Sequence, residues 1–203
     1  MPTNRAAFQL LVTLRWVEPK VWRRILVPAD ATFWDLHMAL QNAMGWEDEH
    51  LHVFRAPDPQ TGEPQEIGIP TEGLFADEKP HRAGWDVMLS EFFRQAGDRV
   101  DYEYDFGDGW EHEVVLEAIL EVGPKARLPH CLDGANACPP EDCGGVSGYE
   151  DLLVAMRDPS HEEHDSILEW LGGPFDPAAF DPKKVRFDNP RLRLLQMLRD
   201  MSS

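Results

Sequence analysis

Between Val100 and Val122, apolar and acidic side chains alternate on both sides of a Gly-Asp-Gly tripeptide, and this pattern constrains the fold more than any other in the chain. Val100, Tyr102, Tyr104 and Phe106 share one face of an extended segment, with Asp101, Glu103 and Asp105 on the other. After Gly107-Asp108-Gly109 the pattern resumes, with Trp110, His112, Val114, Leu116, Ala118 and Leu120 set against Glu111, Glu113 and Glu117. Successive side chains of a strand point to opposite faces, so the pattern predicts a β-hairpin with one buried and one wet, acidic face. Such a hairpin belongs in an antiparallel sheet covered on one side only. Two registers compete. A three-residue loop, Gly107-Asp108-Gly109, sets Phe106 opposite Trp110 and His112 opposite Tyr104. A two-residue Asp108-Gly109 turn sets Asp105 opposite His112, a carboxylate–imidazole pair able to orient a general base. The alternation of Trp110, His112 and Val114 favours the three-residue loop, with Asp105 and Asp108 at the tip.

The rest of the chain supplies the partners for that hairpin. Phe8–Val17 alternates through Phe8, Leu10, Val12, Leu14 and Trp16, and Val21–Val27 follows a short turn, so two further strands are expected. Thr32 precedes an apolar stripe of Phe33, Leu36, Leu40 and Met44 that stops at Gly45, which predicts a capped helix over 33–44 with His37 on its buried side. His50–Phe54 reads as a strand. Residues 56–84 read as a long excursion with at most short strands, and Asp86–Gln95 as a brief helix ended by Gly97. Ser147-Gly-Tyr-Glu150 and Ser160-His-Glu-Glu163 match the capping-box pattern and predict helices over 148–157 and 161–171. A last helix, 190–201, opens on Pro190. The expected architecture is a single α+β domain over 1–182, a mostly antiparallel sheet with helices packed on one face, and a basic C-terminal helix, 183–203, packed on it.

Charge limits the partners. The net charge is −18, but residues 1–46 carry +2 and residues 183–203 carry +4, so residues 47–182 carry −24. That field repels phosphate backbones and lacks the basic stripe of a nucleic-acid surface, so direct nucleic-acid binding is not expected and a basic protein partner or a cation suits the middle region. No run approaches the ~20 apolar residues of a membrane span. The first residues lack the plan of an export signal, and an odd number of cysteines fits a reducing, cytoplasmic setting.

All three cysteines, Cys131, Cys138 and Cys143, fall in one segment rich in Gly, Pro and acid, His130–Tyr149. Zinc takes four tetrahedral Cys or His ligands. Three thiolates plus His130, His112, or the His161/His164 pair can supply them, although the x6 and x4 spacings depart from the usual x2 knuckle. The competing reading is a loop fixed by Pro139-Pro140 and Gly144-Gly145, with the cysteines as small buried apolar groups. His161 and His164, three apart on one helix face, are a second pair of candidate ligands. His50 and His52 alternate on a strand and can share a cation with Asp48 or Glu49. Asp105, Asp108 and His112 are the catalytic candidates. No nucleophile elbow, phosphate loop, dinucleotide fingerprint or HExxH is present.

The motif strings WRRILVP, DLHMALQNAMGW followed by HLHVF, YDFGDGWEHEV, CLDGANACPPEDCGGVSGYEDLL and DPSHEEHDSILEWLGGPFDPAAFD, in this order, resemble the plasmid pRiA4b ORF-3-like family. Members are labelled in places as passenger proteins of insertion elements, with a TnpR-type name. The resemblance runs from Phe8 to Asp181. It implies an α+β fold and an association with mobile elements, and it implies no reaction. A resolvase activity is not carried over, because that chemistry needs an activated serine among phosphate-clamping arginines and a basic DNA-binding domain. The leading expectation is an accessory, non-enzymatic protein-interaction module whose Cys/His region is either a structural metal site, with zinc the candidate ion, or a rigid loop. The rival is a metal-dependent, hydrolase-like enzyme with an Asp/His/Cys pocket.

Overall fold

The computed structural model describes residues 3–70 and 81–201. Eight strands build one sheet: β1 (Arg5–Leu14), β2 (Trp22–Pro28), β3 (His52–Pro57), β4 (Pro64–Gly68), β5 (Arg82–Ala83), β6 (Arg99–Tyr104), β7 (Trp110–Val122) and β8 (His130–Ala135). Their spatial order is β5-β4-β3-β6-β7-β1-β2-β8, and every adjacent pair is antiparallel except β4 with β5. Four α-helices join it: α1 (Phe33–Met44), α2 (Gly145–Arg157), α3 (His164–Leu171) and α4 (Pro190–Asp200). The fold is α+β on a mostly antiparallel sheet.

Period-two patterning decides which face is covered. Phe8, Leu10, Val12 and Leu14 of β1, Ile25 and Val27 of β2, and Val100, Tyr102, Val114 and Leu116 of the hairpin enter one core. Each such side chain contributes about 1.5–3 kcal/mol by leaving water. Helix α1 lies over them, with Phe33 edge-on to Phe54 at 5.0 Å. It begins as its sequence predicts, in a capping box between Thr32 and Asp35, and ends on Gly45 at φ +92°. Helix α2 adds Tyr149, Leu152 and Leu153 to the same core. Helix α4 lies outside α1, where Trp34 Nε1–H donates to the Pro190 carbonyl at 2.8 Å. The uncovered face carries ion pairs: Arg15 with Asp101 (2.7 Å), Arg24 with Glu117 (2.6 Å), and Arg55 with Glu66 (2.8 Å) and Glu103.

Five local expectations are corrected. In the hairpin Tyr104 faces Trp110 and Tyr102 faces His112, so residues 105–109 form a five-residue loop and neither anticipated register occurs. The wider loop closes because Asp105, at φ +56°, donates its N–H to the Leu51 carbonyl (2.9 Å) and accepts from Gly109 N–H (2.6 Å). Phe106 consequently turns outward and is 46% exposed. Trp16 also leaves its expected strand: β1 ends at Leu14, and Trp16 sits at φ +65°, exposed. Neither capping box of the later helices forms. Helix α2 starts earlier, at Gly145 with Gly144 as its N-cap, and Ser160 bonds Asp158 instead, so His161 precedes α3. The early start of α2 depends on missing side chains: a Cβ on Gly145 would meet the Asp108 carbonyl oxygen at 2.5 Å, and one on Gly148 the Cys143 carbonyl oxygen at 1.9 Å. Within Asp86–Gln95 only Leu89–Glu91 is helical, as a single 3-10 turn. The cysteine segment, finally, opens as strand β8 with Cys131 inside it. The excursion over 56–84 holds the short strands β4 and β5, and its residues 71–80 lie outside the described residues.

Candidate functional site

Two histidine–carboxylate groups place three donor atoms within 4.8 Å of one another among the described residues: His37, Asp48 and His52 in the interior, and His50, Asp105 and Asp142 at the rim.

The interior group is a closed hydrogen-bond circuit. Gln41 Nε2 donates to Tyr102 Oη (3.0 Å), Tyr102 O–H pairs with His37 Nδ1 (2.9 Å), and His37 Nε2–H reaches Asp48 Oδ1 (2.8 Å). Arg193 of α4 donates from Nε to Asp48 Oδ2 (2.6 Å) and from Nη2 to the Asp48 carbonyl (2.7 Å). Burial lowers the His37 pKa, a pull that the bond to Asp48 opposes. Burial raises the Asp48 pKa, but the bonds from His37 and Arg193 outweigh it and hold the carboxyl below its usual range. His52 stacks on His37 at 3.5 Å with 8° between the ring planes. Among the described residues neither of its nitrogens has a hydrogen-bond partner, and burial, with His37 and His81 nearby, pushes its pKa far down. Stacked parallel rings send their in-plane lone pairs side by side rather than toward one point, and Asp48 is already engaged by Arg193. This geometry suits a neutral scaffold better than a metal shell. Asp48 and Arg193 border a cleft of about 470 Å³ between α1 and α4, which Trp46 and Asp188 also line.

The rim group joins three segments. His50 precedes β3, Asp105 begins the hairpin loop, and Asp142 belongs to the cysteine segment. His50 Nε2 lies 3.2 Å from Asp142 Oδ1 and 3.7 Å from Asp105 Oδ2. Backbone amides fix the surrounding carboxylates: Asp105 Oδ1 accepts from Gly107 N–H (2.9 Å) and Asp108 N–H (3.3 Å), and Asp108 Oδ2 from Gly144 N–H (3.2 Å). Glu141 accepts from Glu47 N–H (2.8 Å) and from the Tyr104 hydroxyl. Burial and the bond to Glu141 push the Tyr104 pKa up. His50 and His52 therefore do not share a face, because the strand starts only at His52.

His112 sits apart from the rim, fully enclosed, with Nδ1–H toward the carbonyls of Trp110 (3.1 Å) and Tyr102 (3.3 Å). Burial lowers its pKa to about 4. The structure thus brings Asp105 and Asp108 together without their expected imidazole, and His50, read from sequence only as a weak partner of His52, takes that place.

The cysteines do not gather with the histidines. Neither three-donor group contains Cys131, Cys138, Cys143, His161 or His164. All three thiols are free, and burial raises their pKa values, that of Cys143 to about 12 with help from Asp108, so they are neutral. His164 Nδ1–H donates to the Ala155 carbonyl (2.8 Å), and His161 Nδ1 accepts from Glu163 N–H (3.2 Å), so both serve the α2–α3 turn. His130 is exposed at the start of β8. Sequence reasoning also missed Arg23. It is buried in β2, spends its donors on the carbonyls of Ala43, Trp22 and Ala135, and stacks 3.7 Å over Phe180. The even alternation of WRRILVP around it was the available clue.

The class is that of a small α+β protein, a mostly antiparallel sheet covered on one face, and in this chain the hairpin tip, pre-β3 loop and Pro-Pro-Glu-Asp loop meet in a carboxylate rim. Residues 6–184 match the family model described as Plasmid pRiA4b ORF-3-like protein, and the chain belongs to that family. It is 40% identical over 173 residues to "Uncharacterized protein y4hQ" of Sinorhizobium fredii (strain NBRC 101917 / NGR234), covering 84% of each chain. Among solved structures it is similar to the crystal structure of the "Protein of Unknown Function MM3350" from Methanosarcina mazei Go1, with TM-score 0.81 and 41% identity over 91% of this chain and 100% of that one. Among the described residues no helix is long and apolar enough to cross a membrane.

Proposed function

We propose that the chain is an interaction module that docks a basic segment of a protein partner on the rim, as an accessory protein of mobile elements. The observation that carries this reading is the exposed Phe106, in the same hairpin loop as Asp105 and Asp108, whose carboxylates pair with no Lys or Arg among the described residues. Asp105, Asp108, Glu141 and Asp142 form no ion pair with Lys or Arg among the described residues, and His50 is the only cationic candidate beside them. An exposed aromatic side chain on a loop that carries uncompensated acids fits a Lys/Arg-bearing chain, through cation–π contact and long-range attraction. A hydrolytic reading on Asp105, Asp108 and His112 is less favoured, because His112 is sealed in the core.

The test is fluorescence anisotropy with a labelled Lys/Arg-rich peptide and the full chain. Binding is expected at low salt, weakening at least about tenfold toward 0.3 M salt as the Debye length shortens. Phe106→Ala combined with Asp108→Asn is expected to weaken it about tenfold at constant fold content. Binding indifferent to salt, or unchanged in that variant, overturns the reading.

A further inference from the structure

The rim places His50, Asp105 and Asp142 as three donors around one point. Asp105 is the fixed member. Its backbone is held at φ +56°, its side chain is nine-tenths buried, and two amides pin Oδ1, which leaves Oδ2 turned toward His50. His50 Nε2 is itself enclosed and makes no hydrogen bond among the described residues. An enclosed imidazole nitrogen that meets two carboxylate oxygens at ion-contact distance without a hydrogen bond to either is better satisfied when something sits between them. Asp142 closes the set from the opposite loop, also with positive φ, at +58°. Ligands about 2.1 Å from a zinc ion lie roughly 3.0–3.4 Å from one another in tetrahedral or octahedral shells. The separations of 3.2 and 3.7 Å approach that range, so small side-chain movements suffice to close the set.

We propose that His50, Asp105 and Asp142 form a binding site for one zinc-class divalent cation, with its remaining coordination open to solvent. The two carboxylates balance the charge of the ion. The imidazole favours zinc or a neighbouring transition metal over calcium or magnesium, which take oxygen shells. The ion ties together the hairpin loop, the pre-β3 loop and the Pro-Pro-Glu-Asp loop, so that three segments distant in sequence share one anchor. This site is separate from the cysteines, and it does not depend on the docking reading, because every measurement below uses no partner.

The experiment is a zinc titration of the chelator-stripped full chain by calorimetry, with elemental analysis after dialysis. One ion per chain is expected, with calcium and magnesium binding at least tenfold more weakly. His50→Ala and Asp142→Asn are each expected to weaken zinc at least tenfold, and Cys138→Ser/Cys143→Ser to leave it within twofold. Cobalt in place of zinc should show weak d–d bands without intense thiolate charge transfer. No stoichiometric zinc at micromolar concentration overturns the assignment, as does full zinc affinity in Asp142→Asn. Asp142 is exposed, so its exchange does not threaten the fold. Loss of zinc confined to the cysteine variant, or strong thiolate absorbance, also overturns it.

Discussion

His50 and His52 lie two residues apart, yet each ends in a different histidine–carboxylate group, and the contrast separates what holds this fold from what it exposes. In the interior, Asp48 is used up: His37 takes one oxygen and Arg193 the other. At the rim, Asp105, Asp108 and Glu141 are oriented by backbone amides, which fix direction without cancelling charge. The interior group is sealed and neutral around its imidazoles, whereas the rim keeps its negative charge available. The open sheet face is a third case, where Arg15, Arg24 and Arg55 pair directly with the hairpin's acids, so those carboxylates are compensated locally.

Acid should break the interior first, and this is the largest expected effect. His37, His52 and His112 all have pKa values lowered by burial, His112 to about 4. A histidine whose pKa falls on folding binds fewer protons in the native state than in the unfolded chain, across the window between its folded pKa and the unfolded value of about 6.5. Stability is therefore expected to be flat above pH 7 and to drop as the pH falls below about 6.5. The slope approaches about 1.4 kcal/mol per pH unit for each histidine, and His112 alone reaches roughly 3 kcal/mol near pH 4. Urea unfolding across pH 4–8 measures this, and a stability independent of pH between 4 and 6.5 would show that these imidazoles are not held neutral.

Removing the interior carboxylate comes next. Asp48→Ala strands His37 Nε2–H and leaves Arg193 without its anion. Breaking a fully buried pair costs about 3–5 kcal/mol, and since Arg193 is about one-third exposed, water takes up part of that loss. A loss of about 2–3 kcal/mol in urea unfolding is expected, with α4 the first element to gain amide exchange. A loss below about 0.5 kcal/mol would remove the distinction between scaffold and rim.

How far these groups could be read in the sequence depends on how local their causes are. Thr32, the stripe from Phe33 to Met44 and Gly45 are start, face and stop within one element, so α1 follows its sequence closely. The faces of β1, β6 and β7 were equally legible, since period-two alternation needs no knowledge of partners. The rim was not, because its geometry comes from contacts made at a distance: Asp105 N–H to Leu51, the Asp108 carboxylate to Gly144, Tyr104 to Glu141. Those bonds select a five-residue loop over the two shorter ones, and nothing within Tyr104–Trp110 announces them. The same holds for β8, which pairs with β2 across more than a hundred residues and lacks a clean alternation of its own. The crowding of cysteines drew attention to this segment through its thiols. Its acids, Glu141 and Asp142, reach the rim, while its thiols turn toward the core.

The smallest expected effect sharpens the contrast most. Asp142→Asn removes one rim charge while keeping a residue that tolerates the left-handed backbone at φ +58°. Asp142 is mostly exposed, and its nearest charged neighbours include the carboxylate of Asp105. Relief of like-charge repulsion should offset the lost contact with His50, so stability in metal-free buffer should shift by less than about 0.5 kcal/mol. Any gain at low salt should fade toward 1 M, where the Debye length is about 3 Å. The measurement is paired thermal melts of Asp142→Asn and wild type at two salt concentrations. A destabilisation above about 1.5 kcal/mol would place Asp142 with Asp48, as a carboxylate the fold needs. A near-zero shift leaves the rim's charge without a duty in the fold, and a group that the fold can lose without cost is free to serve a ligand.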